Sequence, residues 1–412
     1  MRSSIFAFGT DLLGEGEDTV LANVHDRAGA EAIAFSVNYH NARDVFPHNP
    51  RHRVYRHEGD IAWFRPESGR YRSGLLPYLS SEAEGRDLLE SLCTKADRRG
   101  ILVDAWTIFL HNSRLADAFP DCATRNVYGD PYLTDLCPAN PRVRDYCREL
   151  AGDLSRYPLQ RLLAESLHYR PFEHGEHHER YFIQLSPSAR MLLSLCFCTH
   201  CRARASSAGV EVDLLAGAIR DAIEPVWSEG PELQLSADLQ QQLNLYVEMR
   251  TVVVTSLAAE LHDVTAAAGI RLAFMDHAGA MPHVMLGVGL GDDVNVLARG
   301  LGINPATVSQ VVDEYVVLGY VDTSARLQSM LDSYTTVLDE HVSVSVALRP
   351  LPTDCSAASN LREKVAALRV AETASVDYYH YGLMPLDRLD WIRSAMSLSG
   401  DGTGAFEQSA PR

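Results

Sequence analysis

Two acidic residues each follow a short apolar run, a position from which a carboxylate can do acid–base chemistry. Glu165 follows the run LLA and Asp276 follows AFM. Burial at such a position raises the pKa of a carboxyl towards the value that a proton donor needs. Glycoside cleavage requires a pair of such groups. We therefore predict Glu165 as general acid/base and Asp276 as nucleophile or base. The alternative is a structural ion pair, for instance Glu165 with Arg349.

Polar and aromatic side chains follow most of the other apolar runs of the sequence. Carboxylate, imidazole, guanidinium and amide groups bind sugar hydroxyls, and aromatic faces cover sugar C–H surfaces. The residues predicted to bind a substrate of this kind are Asp11, Tyr39, His40, Arg43, His111, Asn112, His168, His277, Arg349, Tyr379 and Tyr381.

Histidines and cysteines form a second group, in the segments HYRPFEHGEHHER and LCFCTHC. Cys196, Cys198 and Cys201 have the spacing C-x-C-x-x-C. Three thiolates and one upstream imidazole would close all four positions of a structural zinc site. The alternative is a set of reduced, half-buried cysteines at a helix start, because Cys198 and Cys201 can share one helix face.

Eight β-type runs alternate with helical segments along the chain, and they position these residues. Most runs are nearly continuously apolar, as in parallel strands that are buried on both faces. They are Ser4–Gly9, Ala32–Asn38, Ile101–Leu110, Arg161–Leu167, Arg271–His277, Tyr315–Val321, Val342–Pro350 and Ser375–Gly382. This alternation predicts a (β/α)₈ TIM barrel with its site at the C-terminal strand ends. A doubly wound open sheet is the alternative, although the first strand–helix turn lacks the Rossmann glycine fingerprint.

Helix signals occur between the runs. Ser81 with Glu84 forms a capping-box pattern for a helix that ends at Gly100. Asn304 followed by Pro305 predicts a helix start, and we expect the helix to continue to Glu314. This last segment has the pattern of a DNA-binding helix-turn-helix. It lacks the Lys or Arg that would meet phosphate or guanine, so we interpret it as a barrel helix.

Two long connections, after the second and the fourth predicted strands, interrupt the regular alternation of strands and helices. We predict one barrel domain over residues 1–396, with an insertion over 168–250 that holds the His and Cys clusters. The connection after the second strand, rich in His, Arg and aromatic residues, is predicted to be a lid. Residues 397–412 are polar and rich in Gly and Ser, and we predict a disordered tail.

Composition excludes several classes of function. The 412 residues carry a formal net charge of −17, which disfavours binding to nucleic acid. No stretch approaches the ~20 apolar residues of a membrane span. The N-terminal residues do not have the pattern of a signal peptide. We expect a cytoplasmic protein whose partner is a small molecule, and the oligomeric state stays open.

Four segments resemble a group of largely uncharacterised bacterial glycoside-hydrolase-like barrel proteins: VNYHNARDVFPHNPRHRVYRHEGDIAWFRP, AESLHYRPFEHGEHHER, LCFCTHC and VDYYHYGLMPLDRLDWI. The resemblance extends roughly from Ser4 to Ile392, and it implies a TIM barrel and carbohydrate-type ligands. Glu165 matches the acid that the commonest glycosidase barrels carry at strand four. Strand seven departs from their pattern, because it offers Arg349 where they carry a carboxylate nucleophile.

These observations predict a glycosidase-type enzyme that acts on a small sugar or glycoside. The alternative is a non-hydrolytic barrel that uses His and Arg groups, with or without a metal. A lyase, an isomerase and a sugar-binding pseudoenzyme are all of this second kind.

Overall fold

Eight parallel strands close into a barrel in the computed structural model of the chain, which describes residues 1–173, 179–285, 287–289 and 291–397. Each strand pairs with its neighbours in sequence, and the last pairs with the first. The strands are β1 Arg2–Ala7, β2 Ala32–Ser36, β3 Leu102–Ile108, β4 Arg161–Glu165, β5 Arg271–Asp276, β6 Glu314–Leu318, β7 Ser343–Leu348 and β8 Ser375–Tyr378. The predicted (β/α)₈ barrel is thus confirmed.

Helices connect the strands and cover the outside of the barrel. They are α1 Gly9–Glu15, α2 Glu17–Ala22, α3 Leu88–Asp97, α4 Ser113–Ala118, α5 Pro141–Leu154, α6 Pro187–Ser194, α7 Thr199–Ser207, α8 Val212–Ile223, α9 Ala237–Ala267, α10 Met281–Val284, α11 Val294–Gly300, α12 Pro305–Val308, α13 Ser324–Thr335, α14 Ala358–Val370 and α15 Asp387–Met396. Within the described ranges, none of them combines the length and the apolar character that crossing a bilayer requires.

The two long connections contain structure of their own. After β2, short strands Arg43–Val45 and Val54–Arg56 pair antiparallel, and Asn38–Tyr39 pairs with Ile61–Ala62. After β4, helices α6, α7 and α8 precede the long helix α9. A further hairpin, Ala123–Arg125 with Pro131–Leu136, follows β3. The predicted tail 397–412 lies outside the described residues except for Ser397.

Element boundaries differ from the sequence prediction where a nearby polar group competes as cap. Asp87 caps α3 by accepting from the Glu90 amide at 2.9 Å, so the predicted capping box at Ser81 is wrong. Asn304 does cap α12, as predicted. However, α12 ends at Val308 and Glu314 already begins β6, because its side chain enters the buried ion-pair network described next.

Side chains alternate between the barrel interior and the outer layer along each strand. The interior contains an apolar cluster that includes Phe6, Trp106, Leu163, Met275 and Leu318, separate from the larger core between strands and helices. Below this cluster, towards the N-terminal strand ends, the interior is ionic.

Arg161 is the centre of this ionic floor, and its side chain is only 1% exposed. Its guanidinium donates to Asp104 at 2.9 Å, to Asp377 at 2.5 Å and to Glu314. Arg2 adds a second bond to Asp104, at 2.7 Å. The network therefore connects β1, β3, β4, β6 and β8 across the barrel, and it gives the buried Asp104 a structural role.

Replacing Arg161 with Met should lower the free energy of unfolding by about 3–5 kcal/mol, because buried carboxylates would lose their counter-charge. Chemical denaturation measures this loss. Arg271→Met is the matched control. Arg271 reaches Glu314 at 3.4 Å from a side chain that is 41% exposed, so its loss should cost less than about 1 kcal/mol. Equal stability of the Arg161 variant and the wild type would show that the floor does not depend on this charge.

Candidate functional site

A cavity of about 290 Å³ opens at the C-terminal ends of the barrel strands. This is the end of a TIM barrel at which ligand and catalytic groups are found. Its lining combines aromatic, imidazole and guanidinium side chains with one carboxylate among the described residues. The residues are Phe6, Tyr39, His40, Trp106, Glu165, His168, Arg170, Pro171, Met275, His277, Ala280, Met281, His283, Val284, Leu318, Tyr320, Arg349 and Tyr379.

Glu165, the last residue of β4, is that carboxylate. It shares the inward face of β4 with Arg161 and Leu163, and its side chain is 14% exposed. The chain turns away directly after it, because Ser166 adopts a left-handed conformation with φ 53°. Trp106 Nε1 donates to Glu165 Oε2. Burial raises the pKa of Glu165 to about 7, although the Trp106 bond and the Arg170 charge both oppose the rise.

His277 faces Glu165 from the next strand, with Nε2 3.6 Å from Oε1 of the carboxyl. It begins the 3₁₀ turn His277–Ala280 that follows β5. This turn packs directly on β6, since a Cβ on Gly279 would come within 2.0 Å of the Leu318 carbonyl oxygen. Glycine at position 279 thus allows the turn to bring an imidazole beside the acid.

Asp276 lies outside the cavity, although it is adjacent to His277 in sequence. Met275 points into the barrel, so the alternation of β5 directs Asp276 towards the outer layer. There it is fully buried and accepts hydrogen bonds from Tyr315 at 2.6 Å and Tyr334 at 2.8 Å. A third bond, from the Ala278 amide at 2.8 Å, caps the turn. Burial raises the pKa of Asp276, and these hydrogen bonds oppose the rise. The structure does not bring the two predicted carboxylates together.

Two imidazoles, those of the buried His168 and the half-buried His40, line the wall of the cavity as neutral groups. His168 Nδ1 lies 2.7 Å from the Tyr169 carbonyl oxygen, and His40 Nδ1 lies 3.0 Å from that of Asn41. Since a carbonyl only accepts, each Nδ1 carries the proton and each Nε2 is an acceptor. Burial lowers the pKa of both residues to about 4. His168 also packs edge-on against His277, with ring centroids 4.8 Å apart.

Arg349 lines the cavity from the end of β7, and its charge is paired. Its guanidinium lies over the Tyr320 ring at 4.1 Å and donates to Asp354 at 2.9 Å. Arg170, which also lines the cavity, forms an ion pair with Asp135 at 3.0 Å. Tyr39 and Tyr379, both predicted, meet hydroxyl to hydroxyl at 3.3 Å.

The other predicted binding residues lie behind or beside the cavity. Asp11 is buried and accepts from the Phe8 amide at 2.8 Å, and burial raises its pKa to about 8. Asn112 caps α4, and Tyr381 donates to Glu15 at 2.7 Å. His111 is buried behind His40, with ring centroids 4.5 Å apart. Arg43 is exposed on the short strand Arg43–Val45.

Sequence reasoning missed several residues of the cavity. Trp106 lies in the middle of β3, and no local signal separates it from core residues. Tyr320 lies just after the end of β6, and His283 lies in α10. Arg170 stands two residues after His168, a predicted binding residue, and this proximity in sequence could have indicated that Arg170 lies near the cavity.

The structure adds a fourth cysteine to the three that were predicted as a metal site. Cys137, Cys196, Cys198 and Cys201 are buried, with all four sulfur atoms within 4.8 Å of one another. Cys137 follows the hairpin strand Pro131–Leu136. The histidines proposed as the fourth ligand include His174, His177 and His178, which lie outside the described residues.

No protein-family model and no curated protein sequence matches the chain. Solved structures match its fold. An α-L-fucosidase, isoenzyme 2, from Paenibacillus thiaminolyticus aligns with a TM-score of 0.55 at 11% identity, over 96% of this chain and 49% of its own. A β-galactosidase from the psychrophilic Marinomonas ef1 aligns with a TM-score of 0.52 at 10% identity, over 92% of this chain and 54% of its own.

At these identities the likeness concerns the fold alone, and the chain spans about half the length of either enzyme. Both of these enzymes are glycoside hydrolases by name, which agrees with the fold that the sequence resemblance implied. The chain therefore has a glycoside-hydrolase-like TIM-barrel fold.

Proposed function

We propose that this protein is an enzyme of the glycoside-hydrolase type that acts on a small sugar or glycoside, with Glu165 as its general acid/base. The observation that carries the proposal is the position of Glu165. It is the one carboxylate among the described lining residues, it sits at the strand-four end, and its pKa is raised to about 7. A carboxyl with this pKa holds its proton near neutrality and can deliver it to a leaving oxygen.

The dimensions and lining of the cavity support a small carbohydrate as substrate. A volume of about 290 Å³ is at the lower end for ligand pockets and suits a single sugar ring. Trp106, Tyr320 and Tyr379 bring aromatic side chains to the lining, and aromatic rings pack against the C–H surfaces of sugars. The acceptor Nε2 of His168 suits a hydroxyl donor. We propose that Tyr39, His277 and Arg349 complete the set of groups that orient the sugar.

A second candidate is a lyase or isomerase, in which Glu165 removes a proton from the sugar. The observation in its favour is the composition of the lining: four histidines and two arginines accompany a single carboxylate among the described residues. Two-carboxylate glycosidases place their second group about 5–10 Å from the first. Asp276 is held by two tyrosines outside the cavity, so we propose a structural role for it.

Replacing Glu165 with Gln should lower kcat about 10²–10⁴-fold on a glycoside with a poor leaving group, because the amide keeps the size of the side chain and loses the proton. Turnover of a panel of aryl glycosides, ordered by leaving-group pKa, measures the loss. An activated leaving group needs less protonation, so the defect should shrink along the series.

Glu363→Gln on the exposed face of α14 is the matched control and should retain full activity. The melting temperature of the Glu165 variant at pH 8 should equal or exceed that of the wild type, since the variant avoids ionising a buried carboxyl. A lower melting temperature with intact turnover would instead identify Glu165 as a structural residue.

The pH profile of kcat/KM separates the two candidates. A general acid with a pKa of about 7 is protonated below that pH, so activity should fall as the pH rises through about 7. A general base would produce the opposite limb, with activity rising through the same pH. In either case the limb should disappear in Glu165→Gln. A profile that stays flat between pH 5 and 9 would argue against any proton transfer by this carboxyl.

Asp276→Asn should lower the free energy of unfolding by about 1–3 kcal/mol. One carboxylate oxygen accepts from both tyrosine hydroxyls and the other accepts from the Ala278 amide, whereas the asparagine amide has a single acceptor oxygen and turns its NH2 group to the other side. Its oxygen can still cap the turn that carries His277, so kcat should fall by less than tenfold. Urea denaturation and steady-state kinetics measure the two effects. A loss of activity as large as that of Glu165→Gln, without a loss of stability, would return Asp276 to a catalytic role.

A further inference from the structure

Four buried cysteines come together from distant parts of the chain. Cys137 follows the hairpin after β3, Cys196 and Cys198 lie between α6 and α7, and Cys201 lies in α7. The sulfur of Cys137 lies 3.4 Å from that of Cys198, 3.5 Å from that of Cys201 and 3.8 Å from that of Cys196. None of these pairs is a disulfide, which would have its sulfurs about 2.05 Å apart.

These three distances, and the separation of all four sulfurs by no more than 4.8 Å, are compatible with a tetrahedron of thiolates around one metal ion. A zinc–sulfur bond is about 2.3 Å long, and the edge of the corresponding tetrahedron is about 3.8 Å. Two further donors point at the sulfurs. The Arg125 amide lies 3.4 Å from Cys196 Sγ, and the Tyr169 hydroxyl lies 3.3 Å from Cys201 Sγ. Such outer contacts orient the ligands of metal sites and stabilise the charge on thiolate sulfur.

We propose that Cys137, Cys196, Cys198 and Cys201 bind one zinc ion, and that this ion fixes the wall of the cavity that carries His168 and Arg170. Four protein ligands close the coordination sphere, so the ion has a structural role and leaves no open position for substrate. Soft thiolate ligands in tetrahedral geometry favour zinc over the hard divalent cations. Any effect of the zinc ion on catalysis, through this wall, rests on the proposed function.

The first connection to the cavity runs through Tyr169. Its hydroxyl contacts Cys201, its ring lies 4.3 Å beneath the Arg250 guanidinium, and its amide donates to the Leu301 carbonyl at 3.0 Å.

His168 precedes Tyr169, hydrogen-bonds its carbonyl and packs against His277, the neighbour of Glu165. A shift of Cys201 is therefore transmitted through Tyr169 to the buried imidazole of the cavity wall.

The second connection runs through Cys137. Asp135 stands two residues before Cys137 and forms the ion pair with Arg170. The same segment is held to the end of β3, since the Leu136 amide donates to the Leu110 carbonyl at 2.8 Å. The ion would thus connect two separate segments, one bearing Asp135 and one bearing Tyr169, and both of them contact residues that line the cavity.

Metal analysis of the purified protein by mass spectrometry tests the site. One zinc per chain is expected, and Cys137→Ala should lose at least about 90% of it, whereas Cys93→Ala, at a buried cysteine outside the cluster, should keep it. Less than about 0.2 zinc per chain after growth with added zinc, iron in its place, or equal zinc in both variants would overturn the assignment. If Cys137→Ala does not fold, wild-type protein stripped with a chelator takes its place.

Hydrogen exchange tests the link to the cavity without any measurement of activity. Removal of the metal should speed exchange of the Tyr169 amide by about tenfold or more, while the peptide from β8 stays protected. Tyr169→Phe should keep one zinc per chain and still speed that exchange. Unchanged exchange in both samples would overturn the link. Because neither readout uses turnover, a protein that binds zinc and exchanges as expected, but cleaves no glycoside, would refute the proposed function alone.

Discussion

The rest of the barrel depends on the ion pairs of the buried Arg161 guanidinium. It binds three carboxylates that belong to strands on different sides of the interior, so those strands have one register in which the charges are paired. Buried ion pairs contribute little net stability compared with apolar packing, but a broken one is costly. A slip of one residue in β4 would turn Arg161 outward, and with it Glu165, which shares its face. The floor thus specifies which way the Glu165 carboxyl points.

The same alternation explains what the sequence could and could not predict. Continuous apolar runs were sufficient to find all eight strands and to place Glu165 at the end of the fourth. Asp276 also ends a strand, but it lies on the same face of that strand as Phe274, which packs against the helices. Met275 lies on the other face and points into the barrel. Because both faces of such a strand are apolar, its sequence does not show which residues point into the barrel. Residue type at a strand end therefore predicted a candidate, and only the register distinguished the inward residue from the outward one.

Contacts between distant segments were beyond local reasoning. The spacing of Cys196, Cys198 and Cys201 predicted a metal site, but the fourth sulfur belongs to Cys137, 59 residues before Cys196. A lone cysteine after a hairpin carries no signal of its own, and a histidine-rich loop nearby was the stronger local candidate for the missing ligand. Trp106 was missed for a similar reason. It is a mid-strand aromatic residue, and its role depends on the carboxyl that the adjacent strand brings to its indole nitrogen.

The pKa values of the cavity side chains follow from the burial of these groups in its wall. Burial that raises the pKa of Glu165 to about 7 also lowers the pKa of His40 and His168 to about 4. At neutral pH these two imidazoles are uncharged acceptors, while the carboxyl stands near its midpoint and can change protonation state. Greater exposure to water would move the pKa values of both kinds of group back towards their ordinary values and remove this difference between them. The burial itself comes from the apolar cluster above the ionic floor and from the packing around His168. The raised pKa of Glu165 is therefore a property of the packing around it, and not of the carboxyl alone.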